Sequence, residues 1–302
     1  MRICLGSTIF GSARRMFSVV IPAYNEAAVI ERCLRSMLTG ADPGEIDIVV
    51  VANGCKDDTA ARARAFGPAV TVVETPIGNK IGALNLGDAN ARYFPRMYID
   101  ADIQVGIEAL RAVAALLTDD SPVVLAAPQA AFAYEGRPQL VRSFYKVWTS
   151  LPYFTENLIG AGFYAFSRRG RERFDKFPDI IGDDAYARVI AGPEERRSLK
   201  EFTFTISPPR NLRMVAKIFT RVRAGNYELR EKFPELQTNE TTNAQRSLRI
   251  IAGRPDLWVH APVYLGVMGY AKLRAHLKLR LGHEKKWERD DSGREPGPGA
   301  AP

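Results

Sequence analysis

The chain has 302 residues, 46% hydrophobic and 25% charged, which excludes a disordered or low-complexity protein and allows one large domain or two small ones. A formal charge of +8 favours anionic partners, among which nucleic acid, acidic lipid headgroups and sugar nucleotides all qualify. Three cysteines, Cys4, Cys33 and Cys55, lack Cys-x-x-Cys or zinc spacing, which excludes a disulfide framework and fits a reducing, cytoplasmic setting.

Residues 1–16 carry Arg14 and Arg15 but no sustained apolar run with a small-residue cleavage site, so a short disordered leader is expected there and not a signal peptide. From Phe17 to about Pro128, short apolar runs alternate with helical patterns, the signature of βαβ units. Strands are predicted over 17–22, 46–52, 70–74, 96–99 and 122–127, and helices over 26–38, 57–66, 80–92 and 106–117. Asn25 is the expected N-cap of the first helix, whose Val29, Ile30, Cys33, Leu34 and Met37 form a core stripe at helical spacing. From about 137 to 228 aromatic residues thicken and the strands read as isolated.

Residues 257–281 combine an aromatic-rich apolar run with Lys272, Arg274, Lys278 and Arg280 interleaved among leucines. The uncharged run is shorter than the ~20 residues that span a bilayer, and Pro262 is expected to interrupt it. Two readings follow: a segment lying in a membrane interface, or a helix packed on the domain's own core with a solvated basic face. His260, His276 and His283 fall in or near this region and read as surface or headgroup-facing side chains. The Gly-, Pro- and charge-rich tail from about Arg289 is expected to be disordered.

The chemistry is concentrated at strand ends. Val19–Ile21 and Tyr98–Ile99 are apolar runs that break off in polar residues, and open α/β sheets bind ligands outside the carboxyl ends of such strands. Asp100-Ala101-Asp102 places two carboxylates one residue apart, which suits a hard divalent cation sharing its other positions with phosphate oxygens; an Asp-turn is the simpler alternative. Asp183-Asp184 opens a helical pattern. Adjacent carboxylates favour a raised pKa on one of them, useful for taking a proton, although capping a helix needs no more than the same residues. Gly160-Ala161-Gly162 precedes the apolar strand Phe163–Phe166 and suits either a close backbone approach to a ligand or a plain bulge.

Taken together, Val19–Glu26, Ile48–Thr59, Gly78–Asn85, the Asp100/Asp102 triplet, Gly160–Gly162 and Gly182-Asp183-Asp184 resemble, in order and spacing, the family 2 glycosyltransferases of the GT-A fold. The resemblance covers roughly residues 17–227. It implies an α/β fold with a Rossmann-like mixed central sheet flanked by helices and a C-terminal helical extension. The implied division is a nucleotide-binding half (17–128), an acceptor and catalytic half (129–228), a helical extension (229–288) and the tail (289–302). The implied reaction is inverting transfer of a sugar from a nucleotide-diphosphate donor, with a UDP-sugar favoured. The acceptor would be a saccharide or lipid-linked hydroxyl in polysaccharide or glycolipid assembly, reached from the inner face of the cell membrane.

The resemblance also assigns roles. Asp102 would ligate Mn2+ or Mg2+, with Asp100 nearer the ribose and the metal's waters. Pro22, Ala23, Tyr24, Glu26, Asn53 and Lys80 would contact the nucleotide, although Glu26 fits a favourable charge in a helix's first turn equally well. Gly160, Ala161 and Gly162 would line the sugar and acceptor side. Asp184 would be the general base and Asp183 its partner. Arg221 and Arg223 resemble a basic element that covers the diphosphate, and a solvated helix face accounts for them nearly as well. One departure stands out: Ala52 occupies a position where the family commonly carries an acidic residue that reads the base, and the Asn53 amide is the available substitute. A nucleotidyltransferase would open with a Gly-rich loop where this chain has Pro22–Glu26. A silent binding subunit is disfavoured by Asp100, Asp102 and Asp184 together, and a nucleic-acid-binding module lacks a recognition motif.

Overall fold

The computed structural model describes residues 16–156, 159–239 and 244–280; the expected leader apart from Met16, the tail, Cys4 and His283 lie outside them. Eight strands form one sheet: β1 (Phe17–Ala23), β2 (Ile46–Asn53), β3 (Val70–Thr75), β4 (Arg96–Ile99), β5 (Gln104–Val105), β6 (Leu125–Phe132), β7 (Phe163–Phe166) and β8 (Arg196–Ile206). Their order is β3-β2-β1-β4-β7-β6-β8-β5. β1 to β4 run parallel, β7 is antiparallel to both β4 and β6, and β8 is parallel to β6. β1 and β2 are Val/Ile-rich and buried along their whole length, as strands covered on both faces must be. Strand order reverses between β1 and β4, which puts a topological switch point beside the carboxyl ends of those two strands.

The helices are α1 (Ile30–Leu38), α2 (Thr59–Arg64), α3 (Lys80–Asn90), α4 (Ile107–Leu116), α5 (Gln139–Trp148), α6 (Pro152–Thr155), α7 (Arg168–Arg171), α8 (Asp183–Ile190), α9 (Leu212–Lys232), α10 (Ala244–Ala252), α11 (Pro255–Trp258) and α12 (Ala261–Arg280). The stripe on α1 buries Ile30, Cys33, Leu34 and Met37 against the sheet. α1 begins four residues later than the periodicity predicts. Asn25 adopts φ +52° and its side-chain carbonyl accepts the Lys56 N–H at 2.7 Å, so it pins two loops together and does not cap the helix. The strand predicted over 122–127 runs instead from Leu125 to Phe132, because β8 pairs with it in two registers across a bulge at Pro128/Gln129. The strands that read as isolated after residue 137 complete the same sheet, with β7 in its middle.

α5, α9 and α12 enclose a second core of Val141, Phe144, Val215, Phe219, Tyr264 and Ala271, among others. Phe144 lies 4.7 Å from Phe219 and 5.4 Å from Tyr264, ring centre to ring centre. Burying such a ring contributes about 1.5–3 kcal/mol. Pro262 does not interrupt α12; it sits in the first turn, where no intrahelical N–H is missed. His260 is half-buried and meets the Ser143 hydroxyl at 3.0 Å, so it ties the start of α12 to α5 and is not a surface side chain.

Candidate active site

Three chain segments meet at the carboxyl ends of β1 and β4. The β1 end turns through Pro22, Ala23 and Tyr24 into a loop held from below by the β2–α2 segment. Glu26 donates its N–H to Thr59 Oγ1 at 2.7 Å, Ala27 donates to Asp57 Oδ2 at 3.1 Å, and the Cys55 thiol donates to the Ala23 carbonyl at 3.3 Å. Asn53 is 3% exposed, and its amide nitrogen donates to Ala23 O at 2.8 Å, so the side chain braces β2 against β1. Glu26 is buried and its carbonyl accepts from Val29 and Ile30, which starts the turn into α1. The Tyr24 ring stays partly exposed above Gly78, where an added Cβ would lie 3.0 Å from it; Gly54 packs on the Gly78 backbone with equally little room. An exposed aromatic ring on a floor of glycine backbone can stack a planar base.

Asp100 closes β4. Its N–H donates to Gly162 O at 2.9 Å and its carbonyl accepts from Ile103 at 3.1 Å, so the Asp-Ala-Asp turn is clamped between the Gly160–Gly162 segment and β5. Gly160, Ala161 and Gly162 all have positive φ, at +118°, +58° and +100°. A Cβ on Gly162 would lie 2.9 Å from Ile103 Cδ1 and 3.3 Å from Asp100 Oδ2, so this backbone approaches the triplet as only glycine can.

Lys80, the first residue of α3, joins the two acidic motifs. Its ammonium lies 2.8 Å from Asp100 Oδ1 and 3.1 Å from Asp183 Oδ1. Burial works against its charge, but the two carboxylates outweigh it and hold the amine protonated well above the ordinary lysine range. Asp183 is 4% exposed and takes a second hydrogen bond from the Tyr164 hydroxyl at 3.0 Å. Burial raises its pKa, Lys80 pulls it back, and Asp184 and Asp100 push it up again. Burial, and after it the same carboxylate, drives the Tyr164 phenol well above its usual range, so Tyr164 stays a donor. Its ring stacks on Tyr98 of β4, with centroids 5.1 Å apart. Asp184 is more open. Its Oδ2 accepts the Ala161 N–H at 3.2 Å and its Oδ1 the Ala185 N–H at 2.8 Å, which fixes the carboxylate against the glycine turn.

α9 packs on this corner through Gly225, whose added Cβ would meet Gly182 N at 3.3 Å, and through Glu228, which accepts the Ile181 N–H at 2.9 Å. Arg221 lies one turn before Gly225 on the same face. Arg223 is offset by two residues, about 200° around the helix, and bears electrostatically on Tyr264 of α12. The two arginines therefore do not share a face.

Tyr164 is the member of this cluster that the sequence hid, since a short strand buried at every position gives no sign that one aromatic ring will point its hydroxyl at Asp183. The pinning roles of Asp57, Thr59 and Cys55 were equally unmarked. Among the described residues no group of three or more His, Cys, Asp or Glu side chains is placed to hold a metal ion. Asp102 is half-buried two residues beyond Asp100, whose Oδ1 is paired with Lys80.

A family model described as glycosyl transferase family 2 matches residues 18–188. Among solved structures, the chain is similar to the mannosyltransferase PcManGT from Pyrobaculum calidifontis in complex with GDP-Man and Mn2+, at 21% identity and TM-score 0.56, covering 90% of this chain and 80% of that one. It is also similar to glucosyl-3-phosphoglycerate synthase from Mycobacterium tuberculosis with Mn2+, UDP-Glc and glycerol 3-phosphate, at 20% identity and TM-score 0.52, covering 72% and 79%. Against S. aureus TarS in complex with UDP the identity is 14% and the TM-score 0.50, with 92% and 95% covered. These likenesses establish the fold. A curated relative, the uncharacterized protein MT1568 of Mycobacterium tuberculosis (strain CDC 1551 / Oshkosh), is 51% identical over 51 residues, a stretch spanning 17% of this chain and 16% of that protein. With the family model covering more than half the chain, on a sheet whose switch point gathers the expected motifs, this protein belongs to glycosyl transferase family 2.

Proposed function

We propose that the enzyme transfers a sugar, with inversion, from a nucleoside diphosphate donor to an acceptor hydroxyl, with a UDP-sugar as the favoured donor. The observation that carries this reading is Lys80, which draws Asp100 at the end of β4 and Asp183 at the start of α8 into one cluster. Tyr24 would stack the base over Gly78, and Lys80 would meet the diphosphate. Asp100 and Asp102 would hold Mn2+ or Mg2+, which supplies charge neutralisation for the departing diphosphate. Asp184 would take the acceptor proton, because it is the carboxylate of the pair that faces the glycine turn and is not tied to Lys80 or Tyr164 in the bonds described above. Asp183 would hold Lys80 and orient its neighbour. One base and no second nucleophile imply a single displacement.

The acceptor is read as a saccharide or lipid-linked hydroxyl in polysaccharide or glycolipid assembly, and the enzyme as peripheral on the inner face of the cell membrane. Screening UDP-, GDP- and dTDP-sugars for hydrolysis and transfer, with and without Mn2+, tests the reading. Metal-dependent turnover of at least one donor supports it. Silence across all of them, by a protein that still binds UDP, would point to a binding subunit instead.

A further inference from the structure

α12 is apolar on two faces, and the described residues cover only one of them. Ala261, Tyr264, Val267, Ala271 and Ala275 are buried on α5 and α9. On the opposite side Pro262, Leu265, Gly266, Gly269, Leu273 and Leu277 recur at intervals of three and four and are all exposed, with Leu273 at 60%. At 100° per residue they fill an arc about 120° wide, with Tyr270 on its edge and one polar side chain, the exposed His276, inside it. A helix apolar on both sides is ordinarily buried on both. The stripe continues towards the N-terminus into Val259, 79% exposed, and Trp258, 57% exposed. The Trp258 N–H donates to the Ile251 and Ala252 carbonyls at 3.2 Å, which anchors the polar edge of the indole and leaves its ring outward.

Charge identifies what covers this face. The sequence from Val259 to His283 contains no Asp or Glu, while Lys272, Arg274, Lys278 and Arg280 fall within it. Lys272 and Arg274 lie on either side of the stripe, where long cationic side chains can reach headgroup phosphates above buried leucines. Two copies of the chain meeting on this face would bring like charges together, which disfavours a dimer. No helix among the described residues is long and apolar enough to cross a membrane.

We propose that the outer face of α12, with Trp258 and Val259, docks in the plane of an anionic bilayer, its leucines in the acyl boundary and Lys272 and Arg274 among the headgroups. It rests on the peripheral location proposed above only for the choice of leaflet, and not at all on the chemistry at Asp184.

The test is sedimentation of the full chain with phosphatidylglycerol-containing and with purely phosphatidylcholine vesicles, at low and high salt. The intact protein should bind the anionic vesicles and be partly released by salt. The combined Leu265→Ser, Leu273→Ser and Leu277→Ser variant should bind at least tenfold more weakly, and Lys272→Gln, which removes one charge, should cost roughly fivefold. UDP titration of each variant shows that the fold and the donor site are intact, so failure here is distinguishable from failure of the glycosyl-transfer reading. An intact chain that ignores anionic vesicles at low salt overturns the proposal. So does a triple-serine variant that binds them as well as the parent, or a concentration-dependent dimer that the triple substitution abolishes, which would assign the face to a second copy.

Discussion

Replacing Gly160 by Ala isolates the position of the Asp184 carboxylate. The new Cβ would lie 2.8 Å from Asp184 Oδ2 and 3.1 Å from its Cβ. The carboxylate cannot simply swing aside, because Ala161 holds one oxygen at 3.2 Å and Ala185 the other at 2.8 Å. Restoring ordinary contact requires about 0.6 Å of movement in a packed corner. Misplacing a reacting group by about 1 Å costs roughly 10² in rate, so kcat should fall roughly 10- to 100-fold. The left-handed φ of +118° adds about 1–3 kcal/mol of backbone strain. Gly44→Ala separates the two effects, since Gly44 has φ +77° but nothing within 4 Å of an added Cβ. It should lose about 1 kcal/mol of stability and no activity. Steady-state donor turnover, thermal melting and UDP calorimetry on both variants decide the matter. A Gly160→Ala enzyme that turns over at the parent rate would refute the placement of Asp184 at the reacting hydroxyl.

Asp184→Asn should lower turnover by roughly 10²–10⁴-fold with UDP affinity nearly unchanged, whereas Asp102→Ala should damage both; activity kept by Asp184→Asn and lost by Asp183→Asn would reverse the assignment within the pair. Tyr164→Phe removes the hydroxyl donor of buried Asp183 and should cost about 1–3 kcal/mol, lowering Tm by roughly 2–6 °C; an unchanged melt would mean that the bond contributes nothing. Glu195 is held at about 2 by two hydrogen bonds from Arg173 and one from the Gly192 N–H. A depressed carboxylate stabilises the fold above its unfolded pKa of about 4.3, and that stabilisation is lost as pH falls towards 2. Because the pair is about one-third exposed, solvent screening reduces its contribution to about 1 kcal/mol, so Glu195→Gln should be less stable than the parent at pH 7 and equal to it near pH 2, as read by chemical denaturation.

β1 and β2 were legible because they are buried on both faces and read as continuous Val/Ile runs, and the edge strand β3 was legible by its β-branched run. β7 was legible as the apolar run Phe163–Phe166, but how β6 to β8 pair was not, since that is set by long-range register and by a bulge that no local pattern announces. The acidic motifs were visible as residue types at strand and helix ends. Their joining through Lys80 and the hydroxyl of Tyr164 was not, because both depend on α3 and β7 meeting in space. Asn25 shows the limit of local rules: an Asx residue before a helical stripe reads as a cap, but the β2–α2 loop captures its side chain first. In 257–281 the periodicity could not say which face of the helix meets the core, because both faces are apolar.

The most direct test of the central claim is the anomeric configuration of the product, followed by proton NMR with whichever nucleotide sugar the enzyme turns over. A single displacement assisted by Asp184 predicts a product inverted relative to the donor, formed by the parent enzyme and nearly absent with Asp184→Asn. A product that retains the donor's configuration would contradict the one-base mechanism.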